Sequence, residues 1–362
     1  MNKQLLDIYS DYLIAQNQYA TATGLSVLLD GQISHDKITR FLNSKEASSK
    51  ELWQYVKPEI RRIEQNTGGV LILDDTIEEK TYTDKSEIIC WHYSHAKSRC
   101  IKGVNLMSCL VRYGDIALPI ACEAVHKDIL FSDVATKKEK SRATISKNEM
   151  FRAIIQQATT NEVKFDYVLA DNWFGAKKNM EFIEYDMKKK FIIGVKSNRL
   201  VECSEEEKKG QYQNLSTLKL KDGEKRIVRF KDLSFPIALI TKIFKNEDNS
   251  VGTLYLATND LESSADRIYE IYQKRWQIEV YHKSIKQNAS LEKSPTKVTR
   301  SQKNHIFASI VAYCKLEFLK HGIIMVDIDP LELVRGIWLR CFGEIYQERL
   351  YRYLKIFLNR DP

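Results

Sequence analysis

The sequence predicts a mixed α/β protein in which a central sheet is preceded and followed by helical regions. Apolar, β-branched runs such as "GGVLILDDTI" alternate with helix-like segments in the first half of the chain. Tyrosine, leucine and isoleucine recur at helical spacing near the start, and a mostly helical pattern returns from Leu261 onward. With 362 residues and 43% hydrophobic content, the chain can bury a substantial core, in one large domain with appendages or in several smaller domains.

Residues 1–66 are predicted to form a helical N-terminal domain. Within it, an apolar segment ends in an Asp-Gly turn at 30–31, and a basic segment then starts with Ser34 as the expected N-cap. A helix, a short turn and a second helix with Lys37 and Arg40 facing outward give the outline of a DNA-binding helix-turn-helix. An ordinary pair of antiparallel helices would give the same outline.

Residues 67–199 are predicted to form the first part of the core. "GGVLILDDTI" indicates a buried strand that ends in carboxylates, and "VNLMSCLVRYGDIALPIACEAV" indicates a hairpin. After a basic loop and a helix, "FDYVLADNWFG" indicates a strand that ends in an acid, followed by a helix and the strand "KFIIGVKS". Short alternating runs predict a β-rich insertion at 200–262. Residues 263–320 are expected to complete the core, and 321–362 to form a helical C-terminal region with a candidate dimer interface.

The formal net charge of +8 at pH 7 favours an anionic partner. Between Tyr272 and Lys303, eight basic residues stand against two acidic ones. Such a stripe suits a phosphate backbone, although a solvated helix face would have the same composition. Seven cysteines at irregular spacing predict reduced thiols, and neither a signal peptide nor a membrane span is predicted, so we expect a cytoplasmic protein.

Acidic residues stand where two predicted strands end, at Asp74, Asp75 and Asp171. Ligands of α/β sheets bind at the carboxyl ends of the strands. Carboxylates placed there repel one another unless a cation resolves the conflict, and Mg²⁺ takes such oxygen ligands. Taken singly, Asp75 is equally consistent with an N-cap or turn residue, and Asp171 with an Asx-turn formed with Asn172.

The stretch "YQKRWQIEVYHKSIK" carries one acid among four bases. On a single helix at about 100° per residue, four side chains fall on a face roughly 60° wide: Tyr272, Arg275, Glu279 and Lys286. If the helix carried only ordinary salt bridges, Glu279 would need just one basic partner four residues away, either Arg275 or Lys283. A phosphodiester beside a metal uses the full set, because the carboxylate binds the ion while arginine, lysine and phenol bind phosphate oxygens.

The spacing Tyr272-x2-Arg275-x3-Glu279-x6-Lys286 resembles the Y-x2-R-x3-E-x6-K signature of bacterial DDE transposases of the insertion-sequence-4 family. "DDT" at 74–76 resembles the first-aspartate motif of that family, and "LADNWFG" resembles the second. "KGVNL" and "GVKSNR" resemble family segments on neighbouring strands. The resemblance implies an RNase H-like core with a helical DNA-binding N-terminus and a β-rich insertion, and this order extends over nearly the whole chain.

Membership of that family implies a cut-and-paste transposase that cleaves DNA at terminal inverted repeats and joins the freed ends to target DNA. The residues that would bind two Mg²⁺ or Mn²⁺ ions and carry the catalysis are Asp75, Asp171 and Glu279. Contacts to double-stranded DNA are expected from Tyr272, Arg275, Lys286, Lys283, Lys196, Asn198, Arg199, Lys37 and Arg40. Transposition of two ends implies a homodimer in the active complex.

The insertion departs from the family pattern. In relatives, a tryptophan of the insertion stacks on a base that is flipped out during hairpin formation. Residues 200–262 contain no tryptophan, so one of the other aromatic side chains of the insertion would have to replace it: Phe230, Phe235, Phe244 or Tyr255.

A different kind of site is suggested by "CWHYSHAKSRC", which contains zinc-ligand residue types at a spacing unfamiliar for zinc: Cys90, His92, His95 and Cys100. The alternatives in function are a non-catalytic DNA-binding descendant of a transposase, and an RNase H-like nuclease or resolvase without strand transfer. The three acids favour catalysis over the first alternative, and the phosphate-binding signature favours transposition over the second.

Overall fold

A computed structural model describes residues 1–16, 18–64, 68–94, 97–132, 134, 137, 139–202, 210–245, 249–320 and 322. The predicted C-terminal region 321–362, with its candidate dimer interface, lies outside the described residues except for Gly322. The helices are α1 (Lys3–Ala15), α2 (Ala22–Leu28), α3 (His35–Leu42), α4 (Ser49–Ile63), α5 (Lys147–Thr160), α6 (Lys177–Glu181), α7 (Ala265–Gln273), α8 (Trp276–Gln287) and α9 (Thr299–Lys320).

The strands are β1 (Val70–Glu79), β2 (Ile89–Ser94), β3 (Arg99–Tyr113), β4 (Ile116–Ala124), β5 (Ile129–Ser132), β6 (Glu139–Arg142), β7 (Tyr167–Ala170), β8 (Lys190–Val195), β9 (Leu200–Glu202), β10 (Tyr212–Asn214), β11 (Lys225–Val228), β12 (Ile237–Lys245) and β13 (Val251–Thr258). The main sheet has the order β11–β12–β13–β8–β7–β1–β3–β2, and β4 also pairs with β3. β7 runs parallel to β1 and β8 parallel to β7, whereas β3 is antiparallel to β1. This mixed sheet with its helices confirms the predicted RNase H-like α/β class.

The N-terminal helices begin where a polar side chain can accept a backbone hydrogen bond. Ser34 caps α3, as predicted, by accepting from the N–H of Lys37 at 3.3 Å. The turn before it contains Asp30 and Gly31, both with positive φ (51° and 74°). Lys37 and Arg40 are exposed on α3, while the opposite side of that helix packs into a small hydrophobic core shared with α1 and α9.

The prediction that the first strand ends in its acids is wrong, because β1 continues to Glu79. β3 pairs with β1 over the whole length of β1 and so satisfies its backbone beyond the acids. On the other side, β7 pairs with β1 only as far as Leu73 opposite Ala170. Asp74 and Asp75 therefore lie in mid-strand, but level with the carboxyl end of β7.

Three strands of the predicted insertion continue the main sheet, since β13 pairs with β8, β12 with β13 and β11 with β12, whereas β9 and β10 pair with each other in a separate two-stranded sheet. Two of the aromatic residues considered for base stacking, Phe230 and Phe235, are buried in the hydrophobic core. Tyr255 is half-buried against the same core. Phe244 is 41% exposed, so it is the aromatic side chain of this group that a ligand can reach most easily.

The stretch predicted as one helix forms two. α7 ends at Gln273 and α8 begins at Trp276. Between them, the N–H of Arg275 donates to the carbonyl of Tyr272 at 2.9 Å, and similar bonds between residues three apart flank it. Such bonds tighten the chain to about three residues per turn. The predicted face is therefore divided between the end of α7 and the start of α8.

α9 lies between the N-terminal helices and the sheet. Its Val311 and Tyr313 belong to the core of the sheet, whereas Ala308, Ala312 and Leu316 pack with α1 and α3. Because both sides are covered, α9 is apolar on two sides rather than along one stripe. Although α9 has 22 residues, neither it nor any other described helix is long and apolar enough to cross a membrane.

Candidate active site

Three aspartates lie where β1 passes the end of β7. Side chains alternate along a strand, so Asp74 and Asp75 point to opposite faces of the sheet. Asp171 directly follows β7, and its Oδ1 accepts the backbone N–H of Trp173 at 3.0 Å, which caps a short 3-10 turn. This is the turn contact that the sequence also allowed, made with Trp173 instead of Asn172.

On one face of the sheet, Asp74 contacts Arg275 from the junction of α7 and α8. Arg275 Nη1 is 3.3 Å from Asp74 Oδ2 and 3.4 Å from Glu279 Oε1. One guanidinium therefore links β1 to the helix that carries Glu279. The buried ring of Tyr272 lies beside it, with its centroid 5.8 Å from the guanidinium carbon. Three of the four residues of the predicted signature thus converge, and the aspartate that they meet is Asp74.

On the opposite face, Asp75 is held by a lysine and an asparagine. Its Oδ2 accepts hydrogen bonds from Lys147 Nζ and from Asn105 Nδ2, both at 2.7 Å. Lys147 is the first residue of α5, and Asn105 lies on β3. The ammonium of Lys147 is also 5.4 Å from the centroid of the Trp173 ring, two residues after Asp171.

Burial and mutual repulsion make this a cluster that favours a cation. Burial raises the pKa of Asp74 to about 7, and the charge of Asp171 adds to the effect. Burial also raises the pKa of Asp171, with Asp75 adding to the shift and Arg275 opposing it. The pKa of the Tyr272 phenol is raised by burial as well, so this side chain is a neutral hydrogen-bond donor at physiological pH.

The donor set fits a hard divalent ion by its chemistry. Carboxylate oxygens are what Mg²⁺ and Mn²⁺ prefer, and Asn105 Oδ1 is buried without a hydrogen-bond partner among the described residues. Within the same residues, no three His, Cys, Asp or Glu side chains are close enough together to hold an ion. Instead, Arg275 pairs with Asp74 and Lys147 pairs with Asp75. These carboxylates would have to separate from their cations before they could share a metal ion.

The alternative zinc ligands do not assemble in the part of the chain that the structure describes. Cys90 and His92 lie on one face of β2, whereas Cys100 pairs opposite Tyr93 and so lies on the other face. His95 lies outside the described residues. His92 is buried, and burial lowers its pKa to about 4.

The remaining signature residue, Lys286, is bonded within the protein. Its Nζ donates to the carbonyl of Ile77 on β1 at 3.0 Å and is 3.6 Å from Glu292. It thereby connects the last turn of α8 to the strand that carries the aspartates. Lys283, one turn earlier, is exposed.

Three other predicted DNA contacts follow β8. Lys196 and Asn198 are exposed, and the ammonium of Lys196 is 5.8 Å from the centroid of the Trp173 ring. Arg199 is half-buried, donates to the carbonyl of Gly175 at 3.3 Å and lies over the ring of Phe230. Among these three residues, Lys196 is therefore the one that has an accessible charge next to the aspartate cluster.

Asp74, Asn105 and Lys147 are the residues of the site that the sequence analysis did not assign. Two features of the sequence pointed to Asp74 and Lys147. The period-two alternation of a strand requires adjacent aspartates to face different partners. Lys147 is a cation at the start of a helix, where the helix dipole disfavours it, so a carboxylate partner is expected nearby.

Comparison with protein families gives two overlapping matches. Residues 2–214 match the model described as DDE superfamily endonuclease, and residues 122–315 match the model described as transposase DDE domain. No match to a curated protein was found. The matched ranges include β1, β7 and α8, the elements that supply the clustered acids. The chain therefore belongs to the DDE superfamily of endonucleases, within its transposases.

Proposed function

We propose that this chain is the transposase of an insertion sequence, which cleaves DNA at terminal inverted repeats and joins the freed ends to target DNA by a cut-and-paste reaction. The observation that carries the proposal is the contact of Arg275, which lies beside the ring of Tyr272, with both Asp74 on β1 and Glu279 on α8. The spacing of Tyr272, Arg275, Glu279 and Lys286 supports membership of the insertion-sequence-4 family.

In this proposal, Asp75, Asp171 and Glu279 are the ligands of two Mg²⁺ ions, which Mn²⁺ can replace. Asp75 is assigned from the "DDT" motif, whereas Asp74 is the aspartate on the same face of the sheet as Glu279. Bound at this edge, the ions would supply an activated water or 3′-hydroxyl and stabilise the leaving oxygen. Arg275, once released from its carboxylates, and the neutral phenol of Tyr272 would donate hydrogen bonds to phosphate oxygens and so hold the strand in line.

Double-stranded DNA is the proposed partner, and other contacts are assigned to basic or polar side chains. Lys283 and Lys286 on α8, and the segment Lys196, Asn198 and Arg199 after β8, would bind the backbone near the scissile phosphate. Lys37 and Arg40 on α3 would contact the terminal repeat from the proposed N-terminal DNA-binding domain. Two ends have to be processed together, so a homodimer is proposed for the active complex.

The test is incubation of the full-length chain with DNA that carries the repeats flanking its gene, with and without Mg²⁺. Strand-specific cuts at the paired repeats, followed by joined products, are expected only with the ion. Glu279→Gln should abolish cutting and joining while leaving DNA binding largely intact, because the amide removes a metal ligand but no phosphate contact.

Glu270→Gln is the matched control, since Glu270 is an exposed acid of α7 that pairs with the equally exposed Arg267. It should cut as the wild type does. Cutting without joining would favour a nuclease or resolvase, and binding without cutting would favour a non-catalytic descendant. Nicking and joining by the Glu279→Gln variant would overturn the assignment of the metal ligands.

A further inference from the structure

Lys147 occupies a position that its helix does not favour. It is the first residue of α5, where backbone N–H groups and the helix dipole repel a cation. Ser146 and Glu149 already complete a capping box there, so the lysine is not needed to start the helix. α5 is also anchored independently, because Phe151 is fully buried and stacks on Phe174 at a centroid distance of 4.9 Å.

The partner that holds Lys147 is the aspartate proposed as a metal ligand. Lys147 Nζ is 2.7 Å from Asp75 Oδ2, and the lysine side chain is 25% exposed. The same oxygen accepts from Asn105, so its lone pairs are both in use in this arrangement. A divalent ion at Asp75 Oδ2 would therefore compete with the ammonium for one oxygen.

The surroundings of Lys147 offer a second place for its charge. Trp173 is 45% exposed beside Asp171, and the ammonium groups of Lys147 and Lys196 lie 5.4 Å and 5.8 Å from its ring. The four-carbon stem of a lysine lets the charge move several ångströms without moving the helix. An ammonium displaced from Asp75 thus remains at the rim where a DNA phosphate would lie.

We propose that Lys147 is an active-site residue that neutralises Asp75 in the metal-free protein and contacts a phosphate of the bound DNA strand once a divalent ion takes its place. This inference rests on the proposed function, since it assumes the ion and the DNA. In this proposal, Lys147 and the metal ion bind Asp75 in turn, whereas the ammonium of a structural ion pair would stay in place.

The test compares Lys147→Met with Lys196→Met, which removes one charge from the same rim without removing the bond to Asp75. Binding of Mn²⁺ to the full-length, DNA-free protein is measured by calorimetry. Lys147→Met should bind Mn²⁺ about tenfold more tightly than the wild type, because a competing charge is gone, whereas Lys196→Met should stay within about twofold. Lys147→Arg keeps the charge and should stay close to the wild type.

The second measurement is the salt dependence of DNA binding with Ca²⁺ present to prevent cutting. The slope of log K against log salt is negative, and Lys147→Met should reduce its magnitude by about 1 relative to wild type, as loss of one phosphate contact predicts. Unchanged Mn²⁺ affinity in Lys147→Met, or an equal gain in Lys196→Met, would overturn the exchange. The proposed function fails separately, if wild-type protein with Mg²⁺ leaves repeat DNA uncut.

Discussion

Replacing Arg275 by methionine should destabilise the metal-free protein by about 3 kcal/mol, because Asp74 loses its counter-charge. Arg275 Nη1 is 3.3 Å from Asp74 Oδ2, and the two side chains are 16% and 14% exposed. At an effective dielectric of about 20, charges at this distance attract by about 5 kcal/mol, from which desolvation subtracts. The pair with Glu279 adds less than about 1 kcal/mol, because Glu279 is 41% exposed.

Asp74→Asn is expected to rescue the Arg275 variant, because it removes the carboxylate that the guanidinium neutralises. The pKa of Asp74 is about 7 in the folded protein, raised from 3.8 first by burial and then by Asp171. The folded state thus holds this proton more tightly than the unfolded state, so ionisation of Asp74 costs stability as pH rises from about 4 through 7. At pH 8, Asp74→Asn should restore about 2 kcal/mol to Arg275→Met.

Urea unfolding of the wild type, both single variants and the double variant at pH 8, with a chelator present, measures this coupling. We expect a coupling free energy near 2 kcal/mol between Arg275 and Asp74. Effects that add within about 0.5 kcal/mol would refute the reasoning, because Asp74 would then not depend on the guanidinium. Arg267→Met is the control, since its exposed pair with Glu270 should contribute nothing measurable.

Three further variants test other parts of the structure. Burial lowers the pKa of His305 to about 4, so this histidine alone should cost about 2 kcal/mol of stability between pH 7 and 5, as the unfolded imidazole takes up a proton. In thermal melts, His305→Gln should remove that contribution, which is measured as the difference between variant and wild type at the two pH values. Gly103→Ala should cost at least about 2 kcal/mol in urea unfolding, because its Cβ would lie 2.0 Å from the carbonyl oxygen of Glu78; a change below about 0.5 kcal/mol would contradict this. Lys286→Met should reduce the magnitude of the salt slope of DNA binding by about 1. An unchanged slope with a lower melting temperature would leave Lys286 only its internal contacts with Ile77 and Glu292.

The α/β class and the elements around the acids were predictable because they depend on local patterns. The continuous apolar run before Asp74 and the hairpin around Gly114 have periodicities and turn residues that need no tertiary context. The end of β1 was not predictable in this way. Whether a strand continues past its acids depends on the length of its partner, and β3 extends far enough to pair with β1 up to Glu79.

The partners of the acids depend on contacts between residues distant in sequence. Lys147 and Asp75 are 72 residues apart, and Arg275 and Asp74 are 201 apart, so no local pattern connects them. The helical face drawn through Tyr272 failed for a different reason. Three-residue hydrogen bonds interrupt the regular helix there, and a helix of constant period cannot represent such a break.

The pairing of β13 with β8 has a consequence for how this chain can vary. Val195 lies opposite Tyr255, so the segment between them begins and ends at neighbouring positions of the sheet, although its own strands β11 and β12 extend that sheet. The β12–β13 ladder likewise brings Lys245 opposite Val251 and so closes the ends of the connection between them, and doubling the length of a closed loop costs only about 0.6 kcal/mol in chain entropy. Residues can therefore be added to that connection at little cost while the β13–β8 ladder stays in place.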